Sequence, residues 1–165
     1  MKDLGLMHYF LGLEVWKIPE KIFLNQGKYV VEILNKFDML EYKSINTPME
    51  TKLKLLVDTS LELVDATLYR QIIGSLMYLT NTRPYICFVV NTLSQYLVDP
   101  RRVHLVAAKH MLRYLKGMLE FGLFYTGDHD FRLIGYTDLD WAGSVSNRKS
   151  TSGCFFSLRS AMISW

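Results

Sequence analysis

Hydrophobic and polar positions alternate differently in three successive parts of the chain. In the first part, apolar and β-branched residues run from 8 to 18, a polar turn follows at Pro19, and a return strand covers 22–25. Residues 27–39 then carry apolar side chains at helical spacing. This pattern predicts a β-hairpin followed by a helix. A weakly patterned connection from 41 to 65 follows, and its length favours a module boundary.

The middle part predicts three helices. Asp65 is suited to cap the amino end of a helix that runs to about residue 81. Pro84 ends that helix and suits the first turn of a second one, which extends to 99–100. A third helix runs from Arg101 or Arg102 to Lys116, and Gly117 is its expected C′ residue.

The last part returns to β-prone runs at 121–125, 131–137 and 154–158, with polar turns between them. The predicted fold is therefore α+β: an N-terminal β-hairpin plus helix, a central three-helix segment, and C-terminal antiparallel β-strands. The run 162–165 has no closing turn, so we expect the last sheet to be unfinished. With exposed edges of this kind, we expect the isolated chain to be poorly soluble.

Composition adds little to this picture. The 165 residues are 50% hydrophobic, which is ample for a core, and the formal net charge of +3 permits nucleic-acid contact without requiring it. Cys87 and Cys154 lie in apolar runs, which favours buried free thiols in a reducing compartment. We identify no signal peptide and no membrane span, and we expect no membrane partner.

Two acids end the predicted strand 131–137. Asp138 and Asp140 are two positions apart, so their side chains would share one face of a strand and could reach one Mg²⁺ ion. An acid pair before Ala142-Gly143 is also ordinary turn chemistry, and spacing alone favours the turn. The acids and histidine at 128–130 are better explained as a turn for the same reason.

The third predicted helix is rich in cations, at Arg101, Arg102, Lys109, Arg113 and Lys116. Such a helix can face the phosphate backbone of a nucleic acid, because Lys and Arg neutralise phosphates whatever the base sequence. It can equally be a solvated face whose long stems cover apolar surface. The sequence leaves both interpretations open.

Ten collinear motifs resemble the Pol polyprotein of copia-type long-terminal-repeat retrotransposons, which are common in plant genomes. The resemblance covers the whole chain, and it is specific because of the order of the motifs rather than any single one. The motifs are Met1-Lys-Asp-Leu-Gly5, Tyr9-Phe-Leu-Gly-Leu-Glu-Val15, Tyr69-Arg70, Gly74-Ser-Leu-Met-Tyr-Leu79, Thr82-Arg-Pro84, His104, Ala107-Ala-Lys109, Leu112-Arg-Tyr-Leu-Lys-Gly117, Gly135-Tyr-Thr-Asp-Leu-Asp-Trp-Ala-Gly143 and Arg148-Lys-Ser-Thr-Ser-Gly153.

The resemblance implies a domain plan. Residues 1–60 would be the end of the reverse transcriptase palm and a linker, 61–118 the helical thumb and connection region, and 119–165 the first strands of a truncated RNase H-like domain. The family's polymerase site is an aspartate pair in a Tyr-Val-Asp-Asp turn, which this sequence lacks. After Arg-Pro the family usually has an acid, where this chain has Tyr85.

The family's RNase H hydrolyses the RNA strand of an RNA–DNA hybrid with an acidic set and two Mg²⁺ ions. The motif match carries over Asp138 as the first catalytic ligand of that set. Asp140 matches a recurring position and is a possible second contact to the metal. The later acids are missing from this sequence, so we expect weak Mg²⁺ binding and neither polymerisation nor cleavage. The implied partners are the backbone of nucleic acid or of an RNA–DNA hybrid and the remainder of the Pol polyprotein, in the cytoplasm or a virus-like particle.

Two alternatives remain open. The chain could be active only within a longer polyprotein, or it could be a repurposed, non-enzymatic interaction protein that acts as a secreted effector. The second alternative would draw on a short Arg-x-Leu-Arg motif, to which Arg113-Tyr-Leu-Lys116 is an imperfect match inside a helix.

Overall fold

The computed structural model describes residues 5–50, 55, 62–127, 132–140, 150–158 and 161–165, without the side chains of Asp140 and Thr151. The chain divides into two compact units. The strand unit comprises the described residues up to Asn25 and those from Gly122 onwards. The helical unit comprises Gln26–Phe121.

The strand unit contains two antiparallel sheets. In the first, β1 (Tyr9–Phe10), β2 (Leu13–Ile18), β3 (Lys21–Asn25) and β4 (Gly122–Thr126) lie in that order. The predicted hairpin is β2–β3, and its pairing with β4 was not visible in the sequence. That pairing requires a glycine at 122, because a Cβ there would collide with the carbonyl oxygen of Leu24.

The second sheet has the order β5 (Leu133–Asp140), β6 (Thr151–Leu158) and β7 (Ala161–Ser164). The register pairs Tyr136 with Phe155, whose rings stack at 4.6 Å between centroids. The hydroxyl of Tyr125 in β4 donates to the carbonyl of Met162 in β7 at 2.9 Å. These sheets, with the helices below, confirm the predicted α+β class.

The helical unit contains α1 (Gly27–Lys36), α2 (Ala66–Leu79), α3 (Cys87–Ser94) and α4 (Arg102–Lys116), and a short 3-10 turn, Pro84–Ile86, precedes α3. Their apolar faces form one core, at whose centre many side chains are fully buried. These include Val30, Leu34, Ile72, Leu76, Leu79, Ile86, Val90, Leu93, Met111, Leu112 and Leu115. Among the described residues, no helix is both long and apolar enough to cross a membrane.

Most helix boundaries match the sequence pattern, and two details differ. Gly117 directly follows α4, as predicted, and is its C-cap in the right-handed conformation (φ −76°). The helix after Pro84 ends at Ser94 instead of 99–100. Helix α1 ends at Lys36 instead of residue 39, and Asp38, two residues later, has a positive φ of 55°. Cys154 is exposed on β6, which contradicts the prediction of a buried thiol there. The predicted domain plan, with boundaries at 60 and 118, stays a prediction.

Candidate functional site

The acid pair lies within strand β5, and Asp140 is its last residue. Across the ladder, Asp138 is paired with Gly153 of β6. The Asp138 side chain is exposed, and its Oδ1 accepts a hydrogen bond from the backbone N–H of Leu139 at 2.9 Å. A Cβ built on Gly153 would meet no atom of the described residues within 4 Å, so these residues leave the space across the strand from Asp138 open. Asp138 therefore presents an accessible carboxylate on the surface of the sheet.

This setting does not by itself make a magnesium site. Mg²⁺ requires near-octahedral oxygen coordination, usually from one or two carboxylates together with water and substrate phosphates. Among the described residues, no group of three or more His, Cys, Asp or Glu side chains could hold a metal ion. The side chain of Asp140 and the acids at 128 and 130 lie outside the described residues. At this place on β5, the described side chains thus offer one carboxylate, which does not fit a two-metal centre.

The cations predicted to face phosphate lie on α4 or immediately before it. Arg101 donates to Asp99 Oδ2 at 2.7 Å, and its side chain is only 11% exposed. Arg102 and Glu62 form an exposed ion pair at 3.2 Å, a type that stabilises a fold only slightly. Lys109 is half-buried, and its side chain makes no hydrogen bond or ion pair to another described residue. Phosphate binding by these residues stays a prediction.

Three other basic side chains of α4 hold one segment of main chain. We call this segment, residues 39–50, the strap. His110 Nε2 lies 2.8 Å from the carbonyl oxygen of Thr47, Arg113 Nε donates to that of Lys43 at 2.9 Å, and Lys116 Nζ donates to that of Tyr42 at 2.8 Å. Two of the five predicted phosphate contacts, Arg113 and Lys116, are thus engaged within the protein.

Arg83 is fully buried, a role that the sequence did not predict. Its guanidinium donates to the carbonyl oxygens of Met118 and Leu119, just beyond the end of α4, and to the hydroxyl of Tyr85 at 3.2 Å. A cation at this position satisfies carbonyls that a helix end leaves open, and it is favoured by the helix dipole. The available signal was Thr82-Arg83-Pro84 itself, an arginine placed between two helices.

The neighbouring Thr82 has a similar structural role. Its hydroxyl donates to Oε1 of Gln26 at 2.7 Å, and both side chains are buried. Gln26 is the residue at the amino end of α1. The Thr82-Arg83 pair therefore connects the start of α1 with the end of α4 inside the helical unit.

A second buried polar cluster contains His104, Tyr96 and Tyr69. The His104 ring is fully buried and stacks on Tyr96 at 3.8 Å between centroids, while its Nδ1 accepts from the backbone N–H of Arg101 at 3.0 Å. Burial is the main cause that lowers the pKa of His104, and a backbone contact at Leu55 opposes it in part. The hydroxyl of Tyr69 donates to the carbonyl of Leu93 at 2.8 Å, and burial raises the pKa of Tyr69 well above its ordinary range. These contacts are structural.

Comparison with the sequences of known proteins identifies the family of this chain. The chain is 40% identical over all 165 residues to the Retrovirus-related Pol polyprotein from transposon RE1 of Arabidopsis thaliana. It is also 40% identical over its full length to an uncharacterized mitochondrial protein of Arabidopsis thaliana, of which it covers 68%. The chain belongs to the copia-type retrotransposon Pol polyprotein family. This confirms the family expected from the collinear motifs.

The copia-type Pol chain spans 11% of the length of the transposon RE1 polyprotein. It is therefore similar to a small part of that protein. A further relative is Secreted RxLR effector protein 161 of Plasmopara viticola, which is 43% identical over 98 residues, or 59% of this chain and 69% of that protein. No family model and no solved structure matches the chain.

Proposed function

We propose that this chain is a part of a reverse transcriptase and RNase H polyprotein and is catalytically inactive by itself. In this proposal, Asp138 is one ligand of an RNase H site that other parts of the polyprotein complete. The observation that carries it is the position of Asp138, an exposed carboxylate on β5 with open space across the ladder, in the family's Gly135–Gly143 motif. The chain would contribute a strand and one acid to the reaction.

The chemistry explains why one acid is insufficient. Two-metal hydrolysis holds its cations roughly 3.5–4 Å apart, so that one activates the attacking water and the other stabilises the leaving oxygen. A single carboxylate whose Oδ1 already accepts from the Leu139 N–H cannot fix two such ions. We therefore propose that Mg²⁺ is bound only weakly by this chain alone.

In this proposal, the helical unit is the thumb and connection region, and its helix α4 faces the nucleic acid. Arg102 and Lys109 lie seven residues apart on α4 and so share one face of the helix. Arg113 and Lys116 continue that face towards the carboxyl end. A row of this kind follows a phosphate backbone without reading its sequence. We propose the backbone of an RNA–DNA hybrid as the ligand, in an intracellular compartment.

A cleavage assay tests the catalytic part of the proposal. The full chain is incubated with a labelled RNA–DNA hybrid and Mg²⁺, beside an Asp138→Asn variant and a matched Asp65→Asn control far from β5 in sequence. We expect all three to give the rate of the protein-free blank. Cleavage that is lost in Asp138→Asn and retained in Asp65→Asn would show that the chain has a working site and would contradict the proposal.

The similarity to Secreted RxLR effector protein 161 favours a second candidate, a secreted interaction protein. The Arg113–Lys116 segment gives this candidate little support, since both cations lie within α4 and bind strap carbonyls. Expression of the chain with a carboxy-terminal tag decides between the two. We expect the tagged protein in the cell fraction, and recovery from the medium would favour the effector.

A further inference from the structure

The strap is bound to α4 by a regular row of contacts. His110, Arg113 and Lys116 are spaced by three residues, so their side chains follow one face of the helix. Each one meets a different main-chain carbonyl of the strap, at distances between 2.8 and 2.9 Å. The strap therefore lies along the cation-rich face of α4.

Arg113 and Lys116 have neutral partners in this row, whereas Nδ1 of His110 also lies 4.0 Å from Oε1 of Glu50. A backbone carbonyl offers a cation one uncharged acceptor, whereas a phosphate offers charged oxygens. The bonds of Arg113 and Lys116 to carbonyls are already assisted by the charge of the donor, but a phosphate adds the attraction of opposite charges, and a guanidinium can bind it with two N–H groups at once. The Arg113–Lys43 contact uses Nε alone. A polyanion is thus the stronger ligand for the same side chains.

We propose that the strap competes with a polyanion for the basic face of α4. When the strap is docked, its carbonyls occupy Arg113 and Lys116, and the amino-terminal part of the face presents Lys109 and the exposed Arg102–Glu62 ion pair to a phosphate backbone. When a polyanion binds along the whole face, it displaces the strap. This inference rests on the nucleic-acid binding proposed above, and it adds a built-in competitor to that binding.

The strap also has apolar anchors, which allow the competition to be tested without altering a cation. Ile45 and Met49 are partly buried and pack against the helical core. Gly117, at the end of α4, lies beside the strap, and a Cβ built on it would be 3.5 Å from the Cβ of Ser44. Replacing Ile45 with serine weakens docking of the strap and leaves Arg113 and Lys116 unchanged.

The first experiment measures the affinity of the full-length chain for a labelled RNA–DNA hybrid at low salt. Apparent affinity scales with the fraction of molecules in the competent state, so Ile45→Ser should bind about fivefold to tenfold more tightly than the unmodified chain. The matched control is Leu68→Ser, which removes a partly buried side chain of the same core from α2. We expect no gain in that control.

Different results would contradict the binding of nucleic acid and the competition by the strap. Equal binding by the unmodified chain and Ile45→Ser would overturn the competition and leave nucleic-acid binding standing. Binding by none of the variants would overturn both.

A second experiment follows the strap itself by hydrogen exchange and mass spectrometry. In peptides covering 39–50 of the unmodified chain, saturating hybrid should accelerate amide exchange, while peptides from α2 should not change. Unchanged or slower exchange in the strap would show that the polyanion binds without displacing it, which overturns the inference.

Discussion

The helical unit and the strand unit bury their apolar side chains to very different extents. Among the described residues, Ala161 is the only buried apolar side chain outside the helical unit. In the strand unit, large apolar residues remain open to solvent, with Trp16 59%, Phe10 56% and Tyr136 52% exposed. A helix bundle buries its apolar stripes against one another, whereas a sheet requires a second layer to cover its face.

This difference changes what the family motifs mean in each unit. In the helical unit, the polar motif residues Tyr69, Arg83 and Arg113 all donate to main-chain carbonyls, so the motifs there maintain packing. In the strand unit, Asp138 is exposed and has no comparable packing role. A shared family signature therefore records stability in one unit and, under our proposal, chemistry in the other.

The difference in burial between the two units is tested most directly by truncating one apolar side chain in each. Leu76 of α2 is fully buried, and Leu76→Ala should lower the free energy of unfolding by about 3–5 kcal/mol, because it leaves a cavity. Trp16→Ala should lower it by less than about 1 kcal/mol, because the indole is largely exposed. Urea denaturation of the full chain, followed by circular dichroism at 222 nm, measures both.

Val98→Ala is the matched control in the helical unit, since that side chain is 88% exposed, and it should leave the unfolding curve unchanged. If Trp16→Ala costs as much as Leu76→Ala, the face of the first sheet is covered in solution. In that case the contrast between the units does not hold.

A smaller loss of stability is expected when Arg83, a motif residue of the helical unit, is replaced. Arg83→Met should lower the free energy of unfolding by about 2–3 kcal/mol, because the carbonyls of Met118 and Leu119 and the Tyr85 hydroxyl lose their buried donor. Arg70 is the matched control: it is exposed, and its Nε donates to the carbonyl of Leu97 at 3.1 Å. Arg70→Met should cost less than about 1 kcal/mol. Equal costs would show that burial of Arg83 adds nothing.

The two units also differ in how much of them the sequence could predict. Helical periodicity and local caps located α2 and α4 closely, because the signals are local: the carboxylate of Asp65 does accept from the N–H of Thr67, at 2.8 Å. The pairing of β3 with β4 joins segments about a hundred residues apart, and no local pattern specifies it. The carbonyl partners of Arg113 and Lys116 were unpredictable for the same reason, since the strap precedes them by some seventy residues.

At the candidate site, the sequence pattern ended the predicted strand at 137 and favoured a turn for Asp138 and Asp140, whereas β5 continues to Asp140. The sequence could not predict the setting of the Asp138 carboxylate. That setting depends on the register with β6, which places Gly153 opposite Asp138. The role of Asp138 as a metal ligand comes from the family resemblance and stays a prediction.

The smallest expected effect concerns pH and the buried His104. The backbone N–H of Arg101 donates to Nδ1 of His104, so this nitrogen must be unprotonated. A proton on Nδ1 would break the contact at the start of α4. Burial, the largest cause, lowers the pKa of His104 below its ordinary value of 6.5. A backbone contact at Leu55 opposes this in part, and the smaller effects of the Arg101 and Asp99 charges oppose each other. Because the folded pKa lies below the unfolded one, the neutral ring contributes its full stability above about pH 6.5. That contribution is lost as the pH falls.

We therefore expect the urea concentration at the unfolding midpoint of the unmodified chain to decrease as the pH is lowered from 8 to 5. His104→Gln is the informative comparison, because a glutamine at this third helical position can still accept the Arg101 N–H but does not titrate. The midpoint of the variant should change less over the same interval, so that the difference between the two proteins narrows or reverses in acid. Parallel curves would assign the acid sensitivity to other groups and would remove His104 from the side chains whose charge state stabilises the helical unit.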